Sequence, residues 1–118
     1  MVPLFIDHDV TNVIVQGVID YFSEVDLIRA QDVGLADADD NLLLEWAAAH
    51  RRLMVSSDTN TMIAAANERL FTGLPMPGLV VVRQSLEYRI AIEDLAAIAL
   101  CSEPDEWNNK VTFLPLVQ

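Results

Sequence analysis

Apolar residues in this chain occur in two patterns: short unbroken runs, and longer stretches in which they recur every three or four positions. Unbroken runs suit strands buried on both faces, as in a parallel sheet covered by helices, whereas the three-to-four spacing suits helices with one apolar side. The first run, Leu4 to Ile6, leads straight into Asp7, His8 and Asp9. Thr11 or Asn12 then caps a helix with Val13, Ile14, Val18, Ile19 and Phe22 at helical spacing, weakened only by the internal Gly17. Val25 to Ala30 reads as a second strand, which makes the connection between the two a helical crossover. Gln31 to Asp40 is polar, contains Gly34, and reads as a loop of the kind found at functional rims.

Asp39 or Asp40 opens the next helix, DNLLLEWAAAHRR, whose acids at the start and bases at the end suit the helix dipole. Leu53 to Val55 is a short buried strand followed by Ser56, Ser57 and Asp58, and Thr59 or Asn60 starts a helix over Thr61 to Leu70. Thr72 to Gly78 is a loop by its prolines and glycines, and Leu79 to Val82 is the plainest strand of the chain. A helix from about Ile90 to Leu100, a polar connection over Glu103 to Asn109 and a strand over Val111 to Leu114 complete the series, with Pro115 ending that strand or marking an edge. Strand and helix alternate throughout. The pattern therefore predicts one domain over residues 1–118: a three-layer α/β/α fold with a doubly wound, mostly parallel sheet of about five strands.

Composition narrows the functional classes. The chain has 118 residues, 53% of them hydrophobic, yet no apolar run reaches the ~20 residues that a membrane-spanning helix needs. The start, MVPLFIDHD, lacks the basic segment of a secretory signal, so the expected location is the cytoplasm. Eighteen acids against seven bases give a net charge of −11, with no basic stripe for a phosphate backbone. That counts against a general-purpose nucleic-acid binder but leaves room for a metal-dependent nuclease acting on one kind of target. The single cysteine, Cys101, lies in the apolar run AAIALC and reads as a small core thiol; Trp46 reads as core, and His50 as a solvated residue near a helix end.

The acids carry the candidate chemistry. Asp7 follows the first strand, Asp58 follows the third, and Asp40 starts the helix after the second, so all three fall at the carboxyl edge of the predicted sheet, where ligands bind in open α/β folds. Asp9 is a fourth candidate beside Asp7. Converging carboxylates repel unless a cation neutralises them, and Mg²⁺ or Mn²⁺ is the natural complement to an all-oxygen site; its usual chemistry is hydrolysis of a phosphodiester. The plain alternative is that Asp40 and Asp58 cap their helices, a role compatible with metal binding. His8 would point away from Asp7 and Asp9 if the strand continued, which favours packing or hydrogen bonding over ligation.

The succession FIDHD, GLADADDNLLLEWAAAHRRLMVSSD and MPGLVVVR, with the closing VTFLPL, resembles the small PIN-like domains formerly grouped as a domain of unknown function (DUF5615) and related to the Mut7-C type. The resemblance covers nearly the whole chain. It implies Asp7, Asp40 and Asp58 as catalytic and metal-binding acids, Asp9 as a further metal ligand, and Ser56 and Asn60 as supporting residues. It also implies a ribonuclease, in many members a toxin neutralised by an antitoxin, and it allows a homodimer. His8 stands where the family usually has glutamate and Asn60 where it has a second aspartate, departures that suit a non-catalytic scaffold binding a protein or nucleic-acid partner. A phospho-acceptor receiver domain shares the positions of Asp7, Asp9 and Asp58, but its required lysine is missing from the end of the last strand: Lys110 falls before it.

Overall fold

The structure, a computed structural model that describes residues 1–116, contains five strands and four helices in alternation. The strands are β1 (Leu4–Ile6), β2 (Leu27–Arg29), β3 (Leu53–Ser56), β4 (Leu79–Val81) and β5 (Val111–Phe113); the helices are α1 (Asn12–Tyr21), α2 (Asp40–Ala49), α3 (Thr61–Phe71) and α4 (Tyr88–Cys101). All strand pairings are parallel, in the order β2-β1-β3-β4-β5, with Leu4 beside both Leu27 and Leu53, Met54 beside Leu79, and Leu79 beside Val111. Residues 117–118 of the predicted domain lie outside the described residues.

Successive strand residues face opposite sides of a sheet, and here both sides are covered. Leu4, Ile6, Val55 and Val80 pack against Ile14, Val15 and Val18 of α1 and Leu95, Ile98 and Ala99 of α4. Phe5, Met54, Leu79 and Val81 pack against Leu43, Leu44 and Ala47 of α2 and Met62, Ala65 and Ala66 of α3. This two-sided burial is why the strands read as unbroken apolar runs, and it makes the fold the three-layer α/β/α arrangement that the alternation predicts. Truncating any of the fully buried residues, such as Phe5 or Leu44, to alanine would cost about 2–5 kcal/mol.

Several local expectations change. β2 is confined to Leu27–Arg29: Val25 is drawn into the turn that closes α1, donating its N–H to the Phe22 carbonyl, and Ala30–Val33 form a 3₁₀ turn. That turn is tied by Arg29 and Asp32, whose carboxylate accepts the Arg29 backbone N–H at 3.1 Å. Helix α4 starts at Tyr88, earlier than the apolar spacing suggests. Cys101 is exposed at the last position of α4, which corrects its reading as a core thiol: it follows Glu93 and Ala97 at four-residue spacing on the outward face of the helix, while Ile98 and Ala99 of the same turn are buried. Trp46 is only half-buried, its ring stacked between Phe5 at 4.5 Å and the exposed His50 at 3.7 Å. Gly17 has a packing role, since a β-carbon there would collide with the Ile92 side chain across the α1–α4 contact. No helix among the described residues is long and apolar enough to cross a membrane.

Candidate functional site

In a sheet of order 2-1-3-4-5 the connections run in opposite directions from β1, so the carboxyl ends of β1 and β3 border the crevice where such folds bind ligands. The chain chemistry there is set by where β1 stops. Pairing continues one residue past the strand, with the Asp7 N–H donated to the Val55 carbonyl, and the chain then turns so that the Val10 N–H returns to the Asp7 carbonyl at 3.2 Å. The strand alternation therefore ends before His8. His8 is exposed, but its Nδ1 lies 3.0 Å from Asp7 Oδ1, on the same side as the carboxylates it was expected to avoid. The expectation of a hydrogen-bonding histidine holds; the direction inferred from a continuing strand does not.

Asp7 is 3% exposed and Ser56, the last residue of β3, is fully buried. The Ser56 hydroxyl donates to Asp7 Oδ2 at 3.0 Å and, sharing its one proton, more weakly to Asp9 Oδ2 at 3.4 Å. It also accepts the Asp58 backbone N–H at 3.1 Å. Asp9 Oδ1 in turn accepts the Ser57 backbone N–H at 3.0 Å. One buried hydroxyl thus joins two carboxylates from the β1 turn to the loop after β3, across 49 residues of sequence.

The charges differ in what surrounds them. Burial pushes the Asp9 carboxyl above its ordinary value, and the neighbouring charges of Asp7 and Asp58 push it further; the Ser57 N–H and His8 oppose this without cancelling it. Burial also pushes on Asp58, but the Thr61 hydroxyl and the backbone N–H groups of Asn60, Thr61 and Met62 outweigh it and hold that carboxyl below its ordinary value. Asp58 spends its oxygens on the start of α3: Oδ1 accepts the Asn60 N–H at 2.7 Å and Oδ2 accepts the Thr61 hydroxyl. Asn60 precedes α3 with an exposed side chain that makes no capping bond.

Asp40 occupies the first position of α2, and the cap is Asp39, whose Oδ1 accepts the Leu42 N–H at 2.8 Å. Asp40 shares no hydrogen-bond partner with Asp7, Asp9 or Asp58 among the described residues. The sequence-predicted acids are therefore divided: Asp7 and Asp9 meet at Ser56, Asp58 joins them through its backbone, and Asp40 takes no part in these hydrogen bonds among the described residues. Among the described residues no three His, Cys, Asp or Glu side chains are grouped as a ready-made metal cage.

Beside these carboxylates lies a cleft of about 290 Å³ lined by Asp9, Thr11, Ile14, Ser57, Arg83, Gln84 and Tyr88. Arg83 was not among the sequence candidates, although its place just beyond the strand LVVV, at the carboxyl edge, was the available signal. A larger hollow of about 670 Å³ lies at the opposite edge, lined by Val2, Leu53, Met76 and Arg51 among others. It contains none of the four candidate acids, whereas the smaller cleft includes Asp9. The chain matches no protein-family model, no curated protein and no solved structure.

Proposed function

We infer that this chain is a PIN-like hydrolase of phosphodiesters that uses Mg²⁺ or Mn²⁺ and acts on RNA in the cytoplasm. The observation that supports the reading most is the meeting of the Asp7 and Asp9 carboxylates at the Ser56 hydroxyl, at the crevice of a doubly wound sheet. The donor set fits a hard divalent cation. Asp7 and Asp9 offer oxygen ligands, their mutual repulsion is the kind that a cation relieves, and Mg²⁺ commonly needs only one or two carboxylates because it keeps several waters. Asp7 and Asp9 would hold the ion. Bound there, it would supply the Lewis acidity for water to displace one oxygen from phosphorus, leaving a phosphomonoester and a free hydroxyl. Ser56 fixes the orientation of Asp7, while the Ser57 N–H fixes that of Asp9. The resemblance adds a biological setting: a toxin restrained by an antitoxin-like protein, and a homodimer as the assembled form.

A second reading, a PIN-like scaffold that binds without cleaving, is favoured by the commitment of Asp58 to α3. The receiver reading shares the strand order, but the lysine it needs at the carboxyl edge is absent: Lys110, the single lysine of the chain, lies at the amino edge, where its carbonyl accepts the Leu79 N–H. Calorimetric titration of Mn²⁺ into the wild type and Asp7→Asn, with single-stranded RNA cleavage assayed on the same samples, separates the readings. Mn²⁺ binding lost in the variant, together with metal-dependent cleavage, is the expected result. Binding without cleavage selects the scaffold, and neither in the wild type removes the hydrolase.

A further inference from the structure

We propose that the cleft beside Asp9 seats a phosphate of a single-stranded polynucleotide, with the Arg83 guanidinium as the group that holds it. This deepens the hydrolase reading and rests on it for the identity of the ligand as a polynucleotide.

Four of the seven bases are paired: Arg29 with Asp32, Arg52 with Asp26, Arg69 with Glu45 and Arg89 with Glu93. Among the described residues Arg51, Arg83 and Lys110 have no carboxylate partner. Arg51 lines the hollow at the amino edge and Lys110 precedes β5 there, which leaves Arg83 as the cation at the carboxyl edge without a carboxylate partner among the described residues. In a chain of net charge −11, a base without a carboxylate partner among the described residues, in a cleft that Asp9 also lines, is available to an anionic ligand.

The guanidinium is also positioned. Its carbon lies 4.3 Å from the centre of the Phe113 ring, at the end of the neighbouring strand β5. Stacking on an aromatic face orients the plane of an arginine without consuming its N–H donors, and the fixed fork of those donors matches two phosphate oxygens. A lysine would bring the charge but neither the stacking plane nor the fork.

The remaining lining suits a strand with unpaired bases. Thr11 and Gln84 offer neutral hydrogen-bonding groups, and the Tyr88 ring, 47% exposed, offers a face on which a base can stack. Stacking of this kind needs a base freed from its duplex. The cleft volume of about 290 Å³ is on the scale of one nucleotide.

The test is fluorescence anisotropy of a labelled single-stranded RNA, with the same sequence as a duplex, on wild type, Arg83→Gln and Arg83→Lys in Mn²⁺ and in EDTA. Mn²⁺ calorimetry on the same proteins provides the second readout. Arg83→Gln is expected to weaken single-strand binding at least tenfold and Arg83→Lys to recover part of the loss, with Mn²⁺ affinity within twofold of wild type in both. Unchanged binding in Arg83→Gln, equal binding of the duplex, or no RNA binding by the wild type in either buffer would overturn the proposal. If the wild type takes up no Mn²⁺ and cleaves nothing, yet binds single strands through Arg83, the hydrolase reading fails and the phosphate site stands. If Mn²⁺ binds and RNA is cleaved but Arg83→Gln is indistinguishable from wild type, the hydrolase reading stands and this proposal fails.

Discussion

Replacing Asp7 with asparagine tests the acidic pair through stability as well as activity. Asp7 Oδ2 and Asp9 Oδ2 contact the same hydroxyl oxygen at 3.0 and 3.4 Å, which limits their separation to about 6.4 Å. Two full charges at that distance repel by roughly 0.6 kcal/mol in water and about 2.6 kcal/mol at the effective dielectric constant of a protein surface. Asparagine removes the repulsion and keeps the shape. Its carbonyl can still accept the Ser56 hydroxyl and its amide can face His8 Nδ1, so the loss is confined to the charge assistance in those bonds, about 1 kcal/mol. Without metal, Asp7→Asn is therefore expected to range from neutral to about 1.5 kcal/mol more stable than wild type.

Mn²⁺ should reverse the order. A ligand at one hundred times its Kd stabilises the folded state by about 2.7 kcal/mol, and the variant, lacking one of two carboxylates, should gain little of that. In thermal melts of a domain this size, 1 kcal/mol corresponds to roughly 4 °C. Urea unfolding in EDTA and in saturating Mn²⁺ gives the comparison: the variant should equal or exceed wild type in the first buffer and fall below it in the second. A loss of more than about 1 kcal/mol in EDTA would make Asp7 a structural carboxylate, and a wild type indifferent to Mn²⁺ would refute the cation argument.

Other substitutions probe neighbouring parts of the edge. The Asp9 carboxyl is raised above its ordinary 3.8 in the folded protein, so its contribution to stability is fully present below pH 3.8 and lost as pH rises through the folded value. Asp9→Asn should flatten that decline in a plot of urea midpoint against pH, and an identical slope in the variant would show that Asp9 is not its source. Asp58 is lowered, so its contribution is present above 3.8 and lost as pH falls through the folded value. Asp58→Ala should cost about 1 kcal/mol at neutral pH by uncapping α3, and chemical denaturation would expose an unchanged stability. Gly78→Ala combines a φ of +120° with a β-carbon 2.6 Å from the Trp107 carbonyl oxygen and should cost roughly 2–4 kcal/mol in the same assay; a loss under 1 kcal/mol would mean that the loop before β4 yields readily.

What the sequence displayed and what it concealed follow from the range of the forces involved. The strand cores were legible because LFI, LMV and LVV are buried on both faces, where apolar residues are required at every position. Gly17 looked like a defect because its reason is Ile92, which lies in another helix and 75 positions along the chain. Cys101 looked like core because AAIALC is apolar all round, and such a run does not say which side of the helix faces solvent. The site divided in the same way. Asp7 and Asp58 could be placed from their positions after strands, but the direction of His8 depended on β1 ending at Ile6, a boundary set by the turn and not by hydrophobicity. Arg83 had no local signal beyond its place, because its distinguishing contact is with Phe113 in β5.

Asp58 is where the two functional readings part. Its carboxylate accepts from Asn60 and Thr61 at the start of α3, and moving it toward a cation beside Asp7 would expose donors that a cap normally satisfies, at a cost of about 1 kcal/mol. A metal bound by Asp7 and Asp9 alone avoids that cost but forgoes a third carboxylate. The Ser56 hydroxyl links the alternatives, because it donates to Asp7 while accepting the Asp58 backbone N–H. Removing the hydroxyl with Ser56→Ala should therefore disturb Asp7 and the start of α3 together, weakening Mn²⁺ affinity and lowering stability in one variant. Asp58→Ala should lower stability while leaving Mn²⁺ affinity near that of wild type if Asp7 and Asp9 suffice. If calorimetry instead shows Mn²⁺ binding abolished by Asp58→Ala, the cap is broken when the cation enters, and α3 is coupled to the site.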